Sequence, residues 1–197
     1  MDLIVLMVSI LFAMSAHEAM HAYVGLRLGD VTAAEGGRVS LNPLRHIDPF
    51  TTILLPIVTL VLFHAPILAA RPVPFNSSRV KFGEFGVAII AFAGPVTNLL
   101  LAMVAAFFIR IIGLDSFMAH ALYLFVVLNV ALFIFNLVPI PPLDGSRVLY
   151  AFAPEPLQDL LNQLEPFGLF LVFGLVLLGG FGGVLLNLNN LVLQLLI

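Results

Sequence analysis

Three long apolar stretches constrain the fold of this chain more than any other feature. They cover about residues 3–28, 85–112 and 117–138, and each exceeds the roughly 20 residues that a helix needs to cross a bilayer. The chain is 61% hydrophobic and only 10% charged, which is too little charge to cover a soluble domain of this size. Because lipid cannot satisfy backbone hydrogen bonds, the stretches must be helical. The sequence predicts an all-α, polytopic membrane helix bundle in which residues 1–197 form one domain. A polar connector at about 154–165 and a last span at about 166–186 are expected after the three long stretches.

Charge and cysteine content exclude other classes of protein. The net charge is −3 and no basic cluster is present, which argues against nucleic acid as a partner. The chain has no cysteine, so disulfides and thiolate metal sites are excluded. A bound metal would need histidine or carboxylate ligands, and the composition leaves the oligomeric state open.

The first apolar stretch carries ionisable side chains at membrane depth. His17 and His21 are four residues apart, so on a helix they project from one face about 6 Å apart. With Glu18 they form a His-Glu-x-x-His motif, in which two imidazoles bind one zinc ion and the glutamate acts as general base. Packing of a polar helix face is the weaker alternative, because ionisable groups in a bilayer are costly and usually functional.

The same stretch also resembles a secretory signal. Residues 3–14 are apolar, and Ala13-Met-Ser-Ala16 has the composition of a signal-peptidase site. However, the start carries Asp2 where a signal carries basic residues, and helix-compatible sequence continues to Leu28. The sequence therefore favours a retained first transmembrane helix.

A catalytic zinc site needs a third protein ligand and an open position. Asp144 is favoured because it follows a stretch that prolines 139, 141 and 142 prevent from being helical. Gly145 beside it allows close backbone approach, although an ordinary turn or helix N-cap would also explain the pattern. The other possible ligands in the chain are His46, His64, His120 and Asp48.

Residues 50–70 can cross the membrane or enter and return on the same side. A full crossing divides the basic residues four against four, whereas a re-entrant segment places seven of the eight on one side, as the positive-inside rule favours. Only the re-entrant arrangement brings Asp144 to the same face as His17 and His21. The sequence thus predicts a re-entrant segment near 50–70, with short strand and loop elements around it. One such strand is expected at Arg38–Leu41.

Four motifs together resemble the site-2 protease family of intramembrane zinc metalloproteases. His17-Glu-Ala-Met-His21 is similar to the zinc-binding helix of that family, and Asn136-Leu-Val-Pro-Ile-Pro-Pro-Leu-Asp144-Gly145 to its second signature. Ala93-Gly-Pro-Val-Thr-Asn98 is similar to the motif of the intervening core helix. The stretch Gly37–Pro49 resembles the compact branch without PDZ or other regulatory domains.

The resemblance implies a three-helix catalytic core, one Zn²⁺ and a third ligand at Asp144. It also implies transmembrane protein substrates and a site towards the cytosolic side of a membrane, which we expect to be a prokaryotic cytoplasmic membrane. The long insert at 50–70 has no obvious equivalent in the family core. The alternative function is that of a non-proteolytic membrane metal-binding protein, such as a transporter or a chaperone, although a chaperone relative would be expected to lack Glu18.

The predicted chemistry assigns further roles. Glu18 would take a proton from the attacking water, and Asn98 or Asn136 would donate to the oxyanion or bind substrate. For Asn98, helix packing is an equally good interpretation. Residues 37–42 and 71–76 would offer strand edges to an unwound substrate, unless they are simple connectors.

Overall fold

Three long helices form the centre of the protein. The structure, a computed structural model, describes residues 2–46, 74–113, 116–177 and 180–197. Helix α1 (Asp2–Arg27), α3 (Glu84–Ile112) and α4 (Phe117–Asn136) contain 26, 29 and 20 residues, and all three are long and apolar enough to cross a membrane. The predicted all-α membrane bundle with a three-helix core is confirmed.

Successive core helices run in opposite directions. At one end of the bundle, His120 at the start of α4 pairs with Asp2 at the start of α1, with 3.3 Å between Nε2 and Oδ1. Towards the other end, His17 of α1 contacts Asn98 of α3. We call this second end the site end and the first the far end. The packed core of the far end consists of small and branched residues: Ala102, Ala105, Ala106, Ile109, Val126 and Val130.

The connection from α1 to α3 leaves and rejoins the core at the site end. Helix α1 ends before Gly29, whose φ of +103° suits glycine, and the short helix α2 (Thr32–Glu35) follows. The carbonyl of Leu28 accepts a hydrogen bond from the amide of Lys81 at 2.8 Å. Asp30 Oδ2 accepts another from the amide of Asn76 at 2.7 Å. The segment predicted to be re-entrant, 50–70, lies outside the described residues.

The predicted strand at Arg38–Leu41 is wrong, because this stretch has no strand structure. Its backbone groups are used locally instead: the amide of Arg38 donates to Ala33 and the amide of Ser40 to Arg38. A 3₁₀ turn over Pro43–Arg45 follows, with the Asn42 side chain as its cap. The alternation of apolar residues was outweighed by the glycine and proline turn signals on either side.

Within the predicted strand edge at 71–76, the described residues 74–76 form no strand. Residues 74–76 are irregular and lead into a 3₁₀ turn over Ser77–Arg79, while 71–73 lie outside the described part of the chain. The part of 71–76 that the structure describes therefore matches the connector interpretation.

The C-terminal part is more helical than predicted. Helix α5 (Asp144–Phe152) follows the proline-rich break, and the expected polar connector at 154–165 is largely an amphipathic helix, α6 (Glu155–Leu164). The expected last span at 166–186 includes α7 (Gly168–Leu177) and the first part of α8 (Gly180–Leu196), with residues 178 and 179 outside the described part of the chain. Val192, Leu193 and Leu196 of α8 pack against the far-end core.

Candidate metal centre

The two histidines of α1 are buried side by side. Their Nε2 atoms are 2.9 Å apart, and each ring is oriented through its other nitrogen. His21 Nδ1 lies 2.7 Å from the carbonyl oxygen of Ile90, and His17 Nδ1 lies 2.6 Å from Asn98 Oδ1. Because oxygens of these kinds only accept, both Nδ1 atoms donate. In the neutral imidazole, each Nε2 atom then carries the lone pair that a metal-ligating histidine requires.

Asp144 completes the cluster from a different part of the chain. It is the first residue of α5, where a carboxylate is favoured by the helix dipole. Its Oδ2 lies 3.1 Å from His17 Nε2 and 3.4 Å from His21 Nε2. Among the described residues, these three form the one group that could hold a metal ion. The structure thus brings the Asp144 carboxylate next to both histidines, as the sequence predicted.

Two glycines make this approach possible. A Cβ on Gly94 of α3 would lie 2.4 Å from His21 Nε2 and 2.6 Å from His17 Nε2, so only glycine leaves room for both imidazoles. A Cβ on Gly145 would lie 2.2 Å from the carbonyl oxygen of Leu137. The expected role of Gly145 in close backbone approach agrees with this geometry.

The donor set fits a zinc ion. Asp144 Oδ2 is buried and has no hydrogen-bond partner, and it faces two nitrogen lone pairs. Three such atoms repel each other unless a cation lies between them. In a tetrahedral zinc site with bonds of about 2.0–2.1 Å, ligand atoms are about 3.3 Å apart, close to the separations given above. Two imidazoles and a carboxylate are also a usual catalytic zinc set.

The other predicted site residues differ from one another in burial and in contacts. Glu18 is half-buried on the same helix as the two histidines. Asn98 is completely buried, and its Nδ2 donates to Asn129 Oδ1 at 3.0 Å and to the Ala13 carbonyl at 3.4 Å. Asn136 is half-buried, and its Nδ2 donates to the Leu132 carbonyl one turn back at 2.9 Å.

Two of the other possible third ligands lie elsewhere. His46 is buried in the loop after α2, where its Nε2 bonds the Ser40 carbonyl at 2.7 Å. His120 is at the far end. Asp48 and His64 lie outside the described residues.

Neither the contact of Gly94 with the two histidines nor any role for Asn129 was predicted from the sequence. Gly94 was part of a family motif, but which face of α3 meets α1 depends on tertiary packing. Asn129 could have been noticed, because it is an amide in the middle of an apolar helix, and polar residues at that depth need partners.

The chain is similar to bacterial proteins named as zinc proteases. It is 35% identical over 181 residues to "Putative zinc metalloprotease YwhC" of Bacillus subtilis, a match covering 85% of this chain and 77% of that protein. It is 27% identical over 180 residues to "Putative zinc metalloprotease Rip2" of Mycolicibacterium smegmatis and 30% identical over 172 residues to the Rip2 protein of Mycobacterium tuberculosis (strain Erdman). Those matches cover 85% of this chain and 64% and 63% of the relatives. The family model described as Peptidase family M50 matches residues 113–179. No solved structure matches the chain.

A His-Glu-x-x-His helix facing a carboxylate inside a bundle of membrane helices defines the class of intramembrane metal-dependent hydrolases. The chain belongs to peptidase family M50, the site-2 protease family, and the predicted resemblance is confirmed. It is an integral membrane zinc metallopeptidase, with Zn²⁺ as its cofactor.

Proposed function

We propose that His17, His21 and Asp144 hold the zinc ion and that Glu18 is the general base for hydrolysis of peptide bonds in or near transmembrane segments of membrane proteins. The observation that carries the proposal is the convergence of three lone-pair atoms, two from a membrane helix and one from α5, within 4.8 Å of one another. Gly94 leaves space for the imidazoles at that point.

The residues around the ion divide the chemistry. Bound zinc supplies a Lewis acid that acidifies water and polarises a carbonyl. The Glu18 carboxylate takes the proton of the attacking water and passes it to the leaving amine. The side chain of Asn98 and the backbone carbonyl of Ile90 hold the two imidazoles in the tautomer that leaves Nε2 free. Asn98 Nδ2 makes two hydrogen bonds within the core, to Asn129 and Ala13, and so has used both of its hydrogens. Asn136 Nδ2 makes one described bond, to the Leu132 carbonyl, and we therefore assign the oxyanion donor role to Asn136 in preference to Asn98.

The location of the site supports a substrate that is itself in the membrane. Both histidines are buried within a helix of membrane-spanning length, so a peptide must reach them at membrane depth. A substrate helix hides its carbonyls in its own hydrogen bonds, and it must unwind locally before Glu18 can direct water to one of them.

Charge distribution supports a site towards the cytosolic side. Of the seven described basic residues, Arg110 alone lies near the far end of a core helix. The remaining six lie in or next to the site-end connections: Arg27, Arg38, Arg45, Arg79, Lys81 and Arg147. Under the positive-inside rule, the site end faces the cytosol. The relatives given above are bacterial, in line with a prokaryotic cytoplasmic membrane.

The alternative of a metal transporter or inactive chaperone is not favoured. Membership of a peptidase family argues against it, and Glu18 is present. A transporter should also place ligands along several spans, whereas the described residues contain one ligand group.

The test compares purified wild-type protein with Glu18→Gln and Asp144→Ala in detergent, with Glu155→Gln as a control at an exposed acid. Bound zinc is measured by elemental analysis, and cleavage with a panel of labelled transmembrane peptides. We expect one zinc per chain in wild type, Glu18→Gln and the control. Cleavage by Glu18→Gln should fall by about 10²–10⁴-fold, and Asp144→Ala should lose zinc. Wild-type cleavage in Glu18→Gln would refute the base role, and full zinc in Asp144→Ala would refute the ligand set.

A further inference from the structure

A chain of hydrogen bonds leads from the zinc-site histidine to the middle of α4. His17 Nδ1 is 2.6 Å from Asn98 Oδ1, and Asn98 Nδ2 is 3.0 Å from Asn129 Oδ1. Asn129 Nδ2 in turn donates to the carbonyl of Phe125 at 2.9 Å. Both asparagines are 0% exposed, so water does not compete for these groups.

The Phe125 carbonyl, at the end of this series of hydrogen bonds, sets which group donates at each step. The Phe125 carbonyl can only accept a hydrogen bond, so the group of Asn129 that faces it must be the NH₂ group. Asn129 therefore presents Oδ1 to Asn98, which must donate to it from its own NH₂ group. This leaves Asn98 Oδ1 facing His17, and His17 must protonate Nδ1. Each step follows from the donor and acceptor inventory of the side chains.

We propose that Asn129 is a positioning residue that sets the tautomer of His17 through Asn98 and so keeps the His17 Nε2 lone pair available for zinc. The proposal rests on the ligand role of His17 proposed above. It assigns a function in the metal centre to a residue whose side chain makes its hydrogen bonds to Asn98 and Phe125 and not to a metal ligand.

The expected effect is moderate, because Asn129 is not the sole restraint on Asn98. The Ala13 carbonyl also accepts from Asn98 Nδ2, but at 3.4 Å, which is long for a hydrogen bond of this type. Without Asn129, the amide of Asn98 can rotate and present NH₂ to His17, which then must protonate Nε2 and cannot bind metal. Loss of outer-shell partners of metal ligands typically lowers metal affinity by about 10–100-fold.

The experiment compares three variants with wild type. Asn129→Leu keeps the approximate volume and removes the acceptor. Asn129→Asp, in its neutral form, keeps both an acceptor for Asn98 and a donor for Phe125. Val130→Ala is the control, because Val130 is equally buried on the same helix and is apolar. Zinc affinity is measured by chelator competition. The tautomer of His17 is read from the ¹⁵N shifts of its imidazole in metal-free, histidine-labelled protein, with His17→Gln for assignment.

We expect Asn129→Leu to lower zinc affinity about tenfold and to shift the His17 signals towards the Nε2-protonated form. Asn129→Asp should stay within about threefold of wild type, well short of that loss. Val130→Ala should lose thermal stability without change in zinc affinity or tautomer. Wild-type affinity and tautomer in a folded Asn129→Leu protein would overturn the proposal.

If Asn129→Leu does not fold, Asn129→Ser takes its place. The same loss of zinc affinity and the same shift of the His17 signals are expected, because the shorter side chain does not span the gap between Asn98 and Phe125. Failure of the proposed function is distinguishable from failure of this inference. Retained zinc in Asp144→Ala would overturn the ligand set, whereas the ¹⁵N measurement on metal-free protein reports the effect of Asn129 on His17 directly.

Discussion

The two ends of the three-helix core are held together in different ways. At the site end, polar side chains of α1, α3 and α4 form specific hydrogen bonds, with Asn98 and Asn129 fully buried. At the far end, the buried cluster around Ala102 and Ala106 is apolar and made mostly of small residues. Lipid chains are as apolar as these residues, so the far end gains stability from close packing.

The site end needs a more precise arrangement of atoms than the far end does. Hydrogen bonds at the site end fix the direction in which each ligand atom points, and a displacement of about 1 Å there can cost a hundredfold in rate. Packing at the far end fixes only the distance and angle between helices. We therefore expect substitutions at the site end to affect zinc and catalysis first, and substitutions at the far end to affect stability first.

The largest effect is predicted for Gly94→Ala. Its new methyl group would lie 2.4 Å from His21 Nε2, so the imidazoles must move or the metal is excluded. We expect zinc affinity to fall by about a hundredfold and peptide cleavage to fall at least as far, measured by chelator competition and peptide turnover.

Gly25→Ala is the matched control, because Gly25 is also a buried helix glycine and its new methyl group would meet the Ile90 side chain at an ordinary 3.7 Å. It should keep wild-type zinc affinity, and it should not lower stability, since alanine is favoured over glycine in helices by about 1 kcal/mol. Equal zinc affinity in the Gly94 and Gly25 variants would show that the site tolerates a Cβ at 94.

Much of the site end could be predicted from sequence. His17, Glu18 and His21 are recognisable from their spacing on an apolar helix. Asp144 could be predicted as the third ligand from the prolines before it and from the distribution of basic residues. The second argument is possible because charge and hydropathy encode membrane topology. The residues that orient the ligands were harder to predict. Asn129 contacts Asn98 across 31 positions of sequence, and no local pattern encodes that contact.

The errors in the prediction share a physical cause. At Arg38–Leu41 and at 154–165, local polarity and alternation were given more weight than capping and turn residues. Pro154 and Pro156 start α6, where proline is well tolerated, and its apolar side includes the buried Leu161. Short amphipathic segments at a membrane surface lack the long apolar runs that make the core helices easy to recognise.

A smaller and different effect is predicted at the far end for Ala106→Leu. Ala106 is 2% exposed in the packed cluster, so added methylene groups must displace neighbours, at a cost of about 1–3 kcal/mol. Zinc affinity should stay at the wild-type value. The measurements are thermal unfolding of metal-free protein in detergent and zinc competition on the folded protein.

Val104→Leu on the exposed side of the same helix is the control and should unfold near the wild-type temperature. A large loss of zinc affinity in Ala106→Leu, at a temperature where it is folded, would contradict the separation of the two ends. It would mean that strain at the far end is transmitted along α3 to the histidines.

The smallest effect is predicted for Asp30→Asn, which tests whether hydrogen bonds also hold the outer part of the site end. The carboxylate of Asp30 accepts from the amide of Thr32 at 3.0 Å, from its hydroxyl at 2.5 Å and from the amide of Asn76 at 2.7 Å. Burial alone would raise the pKa of Asp30, but these bonds and the charge of Arg79 lower it below 3.8. Asparagine can replace one acceptor but not both, so we expect a loss of about 1 kcal/mol at pH 7.

The pH dependence of this loss gives the sharper test. A carboxyl whose pKa is lowered on folding stabilises the protein above its unfolded pKa of about 3.8, and this contribution disappears as the pH falls through the folded value. The difference in unfolding temperature between metal-free wild type and Asp30→Asn should therefore be constant from pH 7 to about 5 and shrink below about 4. Asp159→Asn, at an exposed position, should show no such trend. A difference at Asp30 that did not change with pH would mean that the contact depends on shape and not on charge, and the site end would then resemble the far end more closely than its hydrogen bonds indicate.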